Sequence, residues 1–370
     1  MISRIQIEGY KSIEAVDVEL GALSVLIGAN ASGKSNFLSV FRLLNAVTEQ
    51  KLQRFIARQG GASALLLYGP KRTKQVKLSI WWYPPSWDLP GDDVGYQLSL
   101  SYIPPDLLII DKEVIGFRNG TRASLGRGQQ AESRLAEEAA SESAVKFTKH
   151  FLDRFRAYHF HDTSDTAAVK QHADVQDNRS LHADAGNLAA FLYMLKTAHP
   201  SHYTEIRNTV RLAFPLFDDF VVEPARLNAN KILLNWRERD SDHEFGPHQL
   251  SDGTLRFMCL AACLLQPFDH PDAPLAITID EPELGLHPYA LTLLASMLRT
   301  ASKKVQIIVS TQSSSLLGAI GDPASVVVVE RKGGATTLAR LQPEQVDAWL
   351  EEYSLGDIWE KGVIGGRPQP

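Results

Sequence analysis

The stretch Gly28-Ala29-Asn30-Ala31-Ser32-Gly33-Lys34-Ser35 constrains this chain more than any other. Its spacing is GxxxxGK[ST], and the flanks fit it. Leu23–Ile27 is an apolar, β-branched run that reads as a buried strand, and Phe37, Leu38, Phe41, Leu44 and Val47 then recur at helical spacing. A strand, a glycine-rich turn and a helix N-terminus in that order make an anion cradle. Gly28 and Gly33 let backbone N–H groups turn inward, and the helix adds its positive end. Gly28, Asn30, Ser32, Gly33, Lys34, Ser35 and Asn36 are therefore the candidate contacts to a nucleotide, with Lys34 reaching the β- and γ-phosphates. The Ser35 hydroxyl is a candidate Mg²⁺ ligand.

A strand that ends in acids completes the chemistry. Leu275-Ala276-Ile277-Thr278-Ile279-Asp280-Glu281 reads as a buried strand closing on two carboxylates. Asp280 is placed to hold Mg²⁺ through water and Glu281 to polarise an attacking water, since phosphoryl transfer needs positioning and charge stabilisation. Upstream, Leu250-Ser251-Asp252-Gly253-Thr254 precedes a helical pattern. Alone it is either an N-cap turn or a second phosphate-seeking surface. Downstream, Ile307-Ile308-Val309-Ser310-Thr311-Gln312 is a further apolar strand with a polar end.

The remaining stretches organise the chain around these motifs. Residues 2–8 and 13–20 alternate like two strands joined around Gly9-Tyr10-Lys11, with Lys11 either near the nucleotide or solvated in the turn. Val76–Trp82, Tyr96–Tyr102, Leu107–Ile110 and Glu113–Phe117 read as antiparallel strands punctuated by Pro84-Pro85, Pro90-Gly91 and Pro104-Pro105. Lys71, Arg72, Lys74 and Lys77 form a basic cluster there, a solvated strand edge or a nucleic-acid contact. Trp81, Trp82 and Trp87 either fill local core or face a partner. Residues 119–143 are poor in large apolar side chains and read as an exposed, mobile connection or a weak surface helix. A helix carrying Phe147, Phe151 and Phe155 follows, then His159, His161, His172 and His182, which lack the spacing of a metal site on one element. Residues 187–198 and 202–214 read as helices, the first stopped by Pro200.

Composition narrows the function class. A net charge of −5 argues against binding nucleic acid through bulk positive charge, while leaving a local patch possible. No run of about 18 apolar residues would span a bilayer, and nothing near Met1 looks like a signal peptide. Cys259 and Cys263 lie in an apolar helical run and read as core thiols. A cytoplasmic protein is expected.

The order of motifs, with the N-terminal Gly9-Tyr10-Lys11-Ser12-Ile13 and the GANASGKSN form of the phosphate loop, resembles the ABC-type ATPases of the RecF/SMC group and their small stand-alone AAA-family relatives. The closing Leu355-Gly356-Asp357-Ile358-Trp359 and Gly365-Gly366-Arg367-Pro368 resemble the tail of those small ATPases, an OLD-like ATPase without a Toprim domain. The resemblance implies an α/β fold: an ABC-type P-loop NTPase head with a mixed central sheet, an antiparallel β lobe and a helical insertion. The expected divisions are 1–62 and 245–370 for the ATPase core, 63–146 for the β lobe and mobile connection, and 147–244 for the helical lobe. It further implies ATP and Mg²⁺ as ligands and a homodimer formed on ATP binding. Lys34, Glu281 and Gln312 would be catalytic, and Ser35 and Asp280 would hold the metal. Ser251 and Gly253 would reach across to the partner's ATP, with Leu286-His287-Pro288 crossing the interface. The family often has His where Gln312 stands, which implies slow turnover because Gln cannot take up charge. The function implied is an ATP-dependent dimeric switch in genome maintenance or antiphage defence, signalling to a separate effector. Alternatives are a RecF-like repair ATPase that binds DNA directly and an ATP-binding scaffold with little turnover.

Overall fold

The computed structural model describes residues 1–83, 94–117, 122–126, 128–139, 143–270 and 272–367. Two six-stranded sheets sandwich the first long helix. In chain order, β1 (Ile2–Tyr10), β2 (Ile13–Glu19) and β3 (Leu23–Ile27) lead into α1 (Lys34–Thr48) and α2 (Leu52–Arg58). β4 (Gln75–Trp82), β5 (Val94–Ile103), β6 (Leu107–Phe117) and β7 (Arg122–Ser124) then form an antiparallel run. After α3 (Leu135–Glu138) and α4 (Ser143–Leu152) comes β8 (Phe155–Tyr158).

The first sheet has the order β2-β1-β4-β5-β6-β7 and is antiparallel throughout. The opening hairpin thus belongs to the same sheet as the strands after residue 74, and the sheet spans the expected 62/63 division. The two stretches 107–110 and 113–117 form one strand, β6, with a register shift opposite Ser99 and Leu100. Trp82 is fully buried and stacks on Phe151 with centroids 4.5 Å apart, so it is core. Trp81 lies under the Arg4 guanidinium. Trp87, the Pro84-Pro85 and Pro90-Gly91 breaks, and parts of the 119–143 stretch lie outside the described residues. Of the basic cluster, Lys77 pairs with Glu8 at 2.8 Å, and Arg72 stacks on Tyr68 within 3.9 Å of Glu14.

The middle of the chain adds β9 (Ala173–Asp174), α5 (Leu188–Ala198) and α6 (Pro200–Ala213). It then folds β10 (Phe217–Val221), β11 (Pro224–Ala225), β12 (Asn228–Ile232), β13 (Asn235–Glu238) and β14 (Glu244–Phe245) into two three-stranded sheets, β9 pairing with β12. Pro200 opens α6 at its first position, where a missing N–H costs nothing, instead of merely ending α5.

The C-terminal third returns to the core with α7 (Asp252–Leu264), β15 (Ala276–Asp280), α8 (Pro288–Ala301), β16 (Gln306–Thr311), α9 (Ser314–Ile320), β17 (Val326–Lys332), β18 (Ala335–Arg340), α10 (Asp347–Leu350) and α11 (Leu355–Glu360). The second sheet has the order β18-β17-β3-β16-β15-β8 and is parallel except for β18. Its central strands are buried on both faces, which explains their continuous Val/Ile/Leu runs. Phe155 is a correction to the sequence reading: α4 ends at Leu152, and Phe155 starts the edge strand β8 beside β15. Its ring meets Phe151 edge-on at 5.0 Å, so the aromatic repeat survives while the backbone has already left the helix. Among the described residues no helix is long and apolar enough to cross a membrane.

Candidate functional site

The parallel strands β3, β16 and β15 all end at the same edge of the sheet, which is where open α/β sheets place their ligands. The loop after β3 is shaped by close approaches. A Cβ on Gly28 would lie 2.2 Å from the Val329 carbonyl oxygen of β17, so no larger residue fits. Gly33 has φ +112°, and a Cβ there would meet Thr336 Oγ1 at 2.1 Å. That threonine, on β18, donates to the Ser32 carbonyl at 2.8 Å and lies 2.7 Å from the Ser12 hydroxyl. Asn36 Nδ2 in turn donates to Ser12 Oγ at 2.8 Å. Ser12 of the first hairpin and Thr336 thus brace the loop from two distant parts of the chain.

Gly33 caps α1 without a side chain, and the N–H groups of Lys34, Ser35 and Asn36 find no acceptor among the described residues. Three inward N–H groups at a helix N-terminus suit a phosphate. Lys34 Nζ donates to the carbonyls of Gly28 and Ala29 at 2.7 and 3.0 Å. Burial lowers its pKa, opposed by the negative charges of Glu281, Asp280 and Glu283, so the ammonium faces three carboxylates.

Those acids hang on the end of β15. Asp280 accepts the Ser310 hydroxyl from β16, and its carbonyl accepts His161 Nε2–H at 2.8 Å. Glu281 has φ +45°, a left-handed conformation that a non-glycine residue adopts at some cost and that turns the chain sharply. Its N–H is held by the Ser310 carbonyl at 3.0 Å, and its carboxylate accepts the Gln312 side-chain amide. Asp280 and the Ser35 hydroxyl are hard oxygen donors of the kind Mg²⁺ takes. Among the described residues no cluster of three or more His, Cys, Asp or Glu side chains competes for a metal. The donor set therefore fits Mg²⁺ bound by few protein ligands beside a phosphate.

Glu283, given no role from the sequence, turns out to be part of the site. Its Oε1 accepts Thr311 Oγ1 at 2.7 Å and the Gln312 N–H at 2.8 Å, fixing the turn that aims Gln312 at Glu281. Burial holds its pKa above the usual carboxylate value, and Oε2 is buried without a partner. Its one sequence signal is an acid two residues beyond Glu281.

Ser251 and Gly253 lie elsewhere. Ser251 is the N-cap of α7, its hydroxyl accepting the Thr254 N–H at 3.2 Å. A Cβ on Gly253 would stand 2.2 Å from the Gly285 carbonyl oxygen, so the turn packs against the loop after β15. Arg256, one turn along α7, clamps this junction. Its buried guanidinium donates to the carbonyls of Phe160 at 3.0 Å, His161 at 3.3 Å and Leu284. Ser251 and Gly253 border a pocket with Gly285, Leu286 and His287 that shares no lining residue with the cavities beside the phosphate loop. The structure thus brings together the loop, Asp280, Glu281 and Gln312, and sets Ser251 and Gly253 in a different pocket, against Gly285, Leu286 and His287.

Lys11 has a left-handed backbone and donates to Gln59 Oε1 at 3.0 Å. His159 and His161 stack with centroids 4.2 Å apart, and burial lowers the His159 pKa. Cys259 and Cys263 are buried thiols pushed up in pKa by desolvation.

Comparison with known proteins gives a consistent fold. The chain is similar in structure to an Smc head bound to the C-winged helix domain of ScpA, with TM-score 0.62 and 16% identity over 94% of this chain and 99% of that one. It is also similar to the Smc head domain with an extended coiled coil bound to the C-terminal domain of ScpA from Pyrococcus furiosus (TM-score 0.59, 16% identity, 95% and 98% covered). A third such structure is an Smc head domain with a coiled coil and joint from Pyrococcus yayanosii (TM-score 0.55, 13% identity, 95% and 99%). The curated proteins contain no sequence match. Residues 1–87 match an AAA ATPase domain. Residues 97–318, well over half the chain, match the family described as "AAA domain, putative AbiEii toxin, Type IV TA system", and the chain belongs to that AAA domain family.

Proposed function

We propose that this protein is an ATP-binding and slowly ATP-hydrolysing dimeric switch whose two nucleotide sites are each completed by the other protomer. The observation that carries the reading is the segregation just described: loop, acids and Gln312 at one strand edge, Ser251 and Gly253 in a pocket that shares no lining residue with the cavities beside the loop. A phosphate contact from Ser251 then comes most simply from a second copy. In this reading the N–H groups at the start of α1 and Lys34 hold the β- and γ-phosphates, while Ser35 and Asp280 would hold Mg²⁺, which would supply charge neutralisation of the phosphates. Glu281 accepts the proton of the attacking water, with Gln312 orienting its carboxylate. The Gln312 amide cannot take up a proton, which favours slow turnover.

ATP binding closes the heads and hydrolysis reopens them, passing the signal to a separate effector, in genome maintenance or antiphage defence. The partner surface falls within residues 63–240, between the two parts of the ATPase core. The Smc heads that share this fold are themselves bound to ScpA domains, which supports a protein partner. The test is Glu281→Gln, which should keep ATP binding, lose turnover and accumulate an ATP-dependent dimer, while Ser251→Arg in the same background should prevent that dimer. No ATP-dependent change in mass by light scattering in Glu281→Gln would overturn the composite site. Incubated alone with DNA, ATP and Mg²⁺ or Mn²⁺, the wild-type chain should cleave nothing.

A further inference from the structure

The tail after α10 meets the phosphate loop. α11 packs on α9, where a Cβ on Gly356 would lie 2.2 Å from the Ser314 carbonyl oxygen, and Glu360 accepts the Ser314 hydroxyl. The chain then doubles back through Gly365 and Gly366, at φ +75° and +74°. A Cβ on Gly366 would stand 3.4 Å from Gly28 Cα and 3.3 Å from Trp359 Nε1, so the tail rests on the first glycine of the loop. The Gly366 N–H donates to Glu330 Oε1 at 3.0 Å, pinning the tail to β17.

This leaves a cavity of about 400 Å³ with Gly28, Ala29, Asn30 and Gln312 on one side and Trp359, Glu360 and Arg367 on the other. Arg367 is the only cation among its lining residues. Its side chain is exposed, lies along Gly362, and has no ion-pair partner among the described residues. It also borders the cavity on the other flank of the loop, where the remaining cations are engaged: Arg331 with the Gly334 carbonyl at 3.1 Å and Lys332 with Glu330 at 2.7 Å. A triphosphate entering here adds its charge to that of the acids facing Lys34, Glu281 and Asp280 with Glu283 beside them, a local excess of negative charge that Lys34 and one divalent cation together do not balance. A planar guanidinium at the mouth can bind phosphate oxygens in pairs.

We infer that Arg367, delivered in cis by the C-terminal tail, binds the terminal phosphate of a nucleoside triphosphate on the Gln312 side of the loop. The inference rests on the nucleotide reading of that loop and adds to it a residue that distinguishes triphosphate from diphosphate. ADP lacks the group that Arg367 contacts, so removing the guanidinium costs ATP affinity selectively.

The experiment is calorimetry of ATP and ADP binding to the full chain carrying Glu281→Gln and Ser251→Arg, which remove turnover and association from the measurement. Adding Arg367→Ala should weaken ATP about tenfold or more and ADP by less than about twofold, with Arg367→Lys intermediate. Lys34→Ala, run beside them, should abolish binding of both nucleotides. Equal losses for ATP and ADP, or none, in Arg367→Ala while Lys34→Ala abolishes binding would overturn the role of Arg367 and leave the loop reading standing. Unchanged binding in a folded Lys34→Ala chain would overturn both.

Discussion

The substitution Gly253→Ala isolates the proposed trans contact. The added Cβ would sit 2.2 Å from the Gly285 carbonyl oxygen and 3.2 Å from its carbonyl carbon. Contacts below 3.0 Å are essentially never seen for a real Cβ, so the two backbones must part by at least about 0.8 Å. Neither partner is a flexible side chain, and Arg256 ties the same loop to α7 through the Leu284 carbonyl. The strain should therefore displace the N-terminus of α7 relative to this loop, and with it the Ser251 hydroxyl. A shift of that size takes a hydrogen bond out of its useful range, about 1.5–3 kcal/mol for a bond to a charged group. A twofold dimer has two such contacts, so dimerisation should lose roughly 3–6 kcal/mol, about two to four orders of magnitude in dissociation constant. Overpacking should cost the fold about 1–3 kcal/mol, small enough for the chain to remain folded. In a Glu281→Gln background, dimerisation would be followed by analytical ultracentrifugation with ATP, and monomer affinity by calorimetry. The reasoning is refuted if the dimer constant moves by less than about twofold, or if the monomer itself loses ATP.

Gly33→Ala should destabilise the chain by roughly 1–3 kcal/mol, because it combines a left-handed φ with a 2.1 Å approach to Thr336 Oγ1; a melting temperature that does not fall would contradict this. Glu283→Gln should retain ATP affinity and lower turnover by about tenfold or more, since it weakens the acceptor that sets Gln312; steady-state phosphate release measures it. The same substitution tests linkage. Burial holds the folded pKa of Glu283 above the ordinary carboxylate value of 4.5, so its contribution to stability is present below that value and fades as pH rises through the raised folded value. Urea melts of wild type and Glu283→Gln across pH 4–7 should therefore diverge, with only the wild type carrying that downward slope. Lys11 runs the opposite way: burial lowers its pKa from 10.5 to about 8, so the penalty for holding it charged disappears as pH rises from about 8 to 10.5. Lys11→Met should remove that rise.

The elements around the site were legible because their causes are local. The glycines of 28–33 sit where side chains cannot, the apolar run 23–27 is buried on both faces, and Ser251 caps the helix that follows it. Each signal lies within a few residues of what it determines. The expected β lobe was legible as strands for the same reason, from alternation and turn residues, but not as one sheet with the first hairpin. Ile5 and Ile80 pair across some 75 positions, and no local pattern names a strand's neighbour.

Tertiary structure alone decided the contacts that couple the site. Phe155 reads as the last ring of an aromatic helix, yet Phe155–Tyr158 becomes an edge strand because β15 offers it a ladder, and this brings His161 to the Asp280 carbonyl. Glu283 reaches Gln312, Arg256 gathers three carbonyls from two loops, and Gly366 settles on Gly28 only once β17 and α9 have placed their ends together. The nucleotide loop was thus written in eight consecutive residues. What surrounds it was not, because charge–dipole and carbonyl contacts between segments hundreds of residues apart depend on where the packed core delivers each strand end.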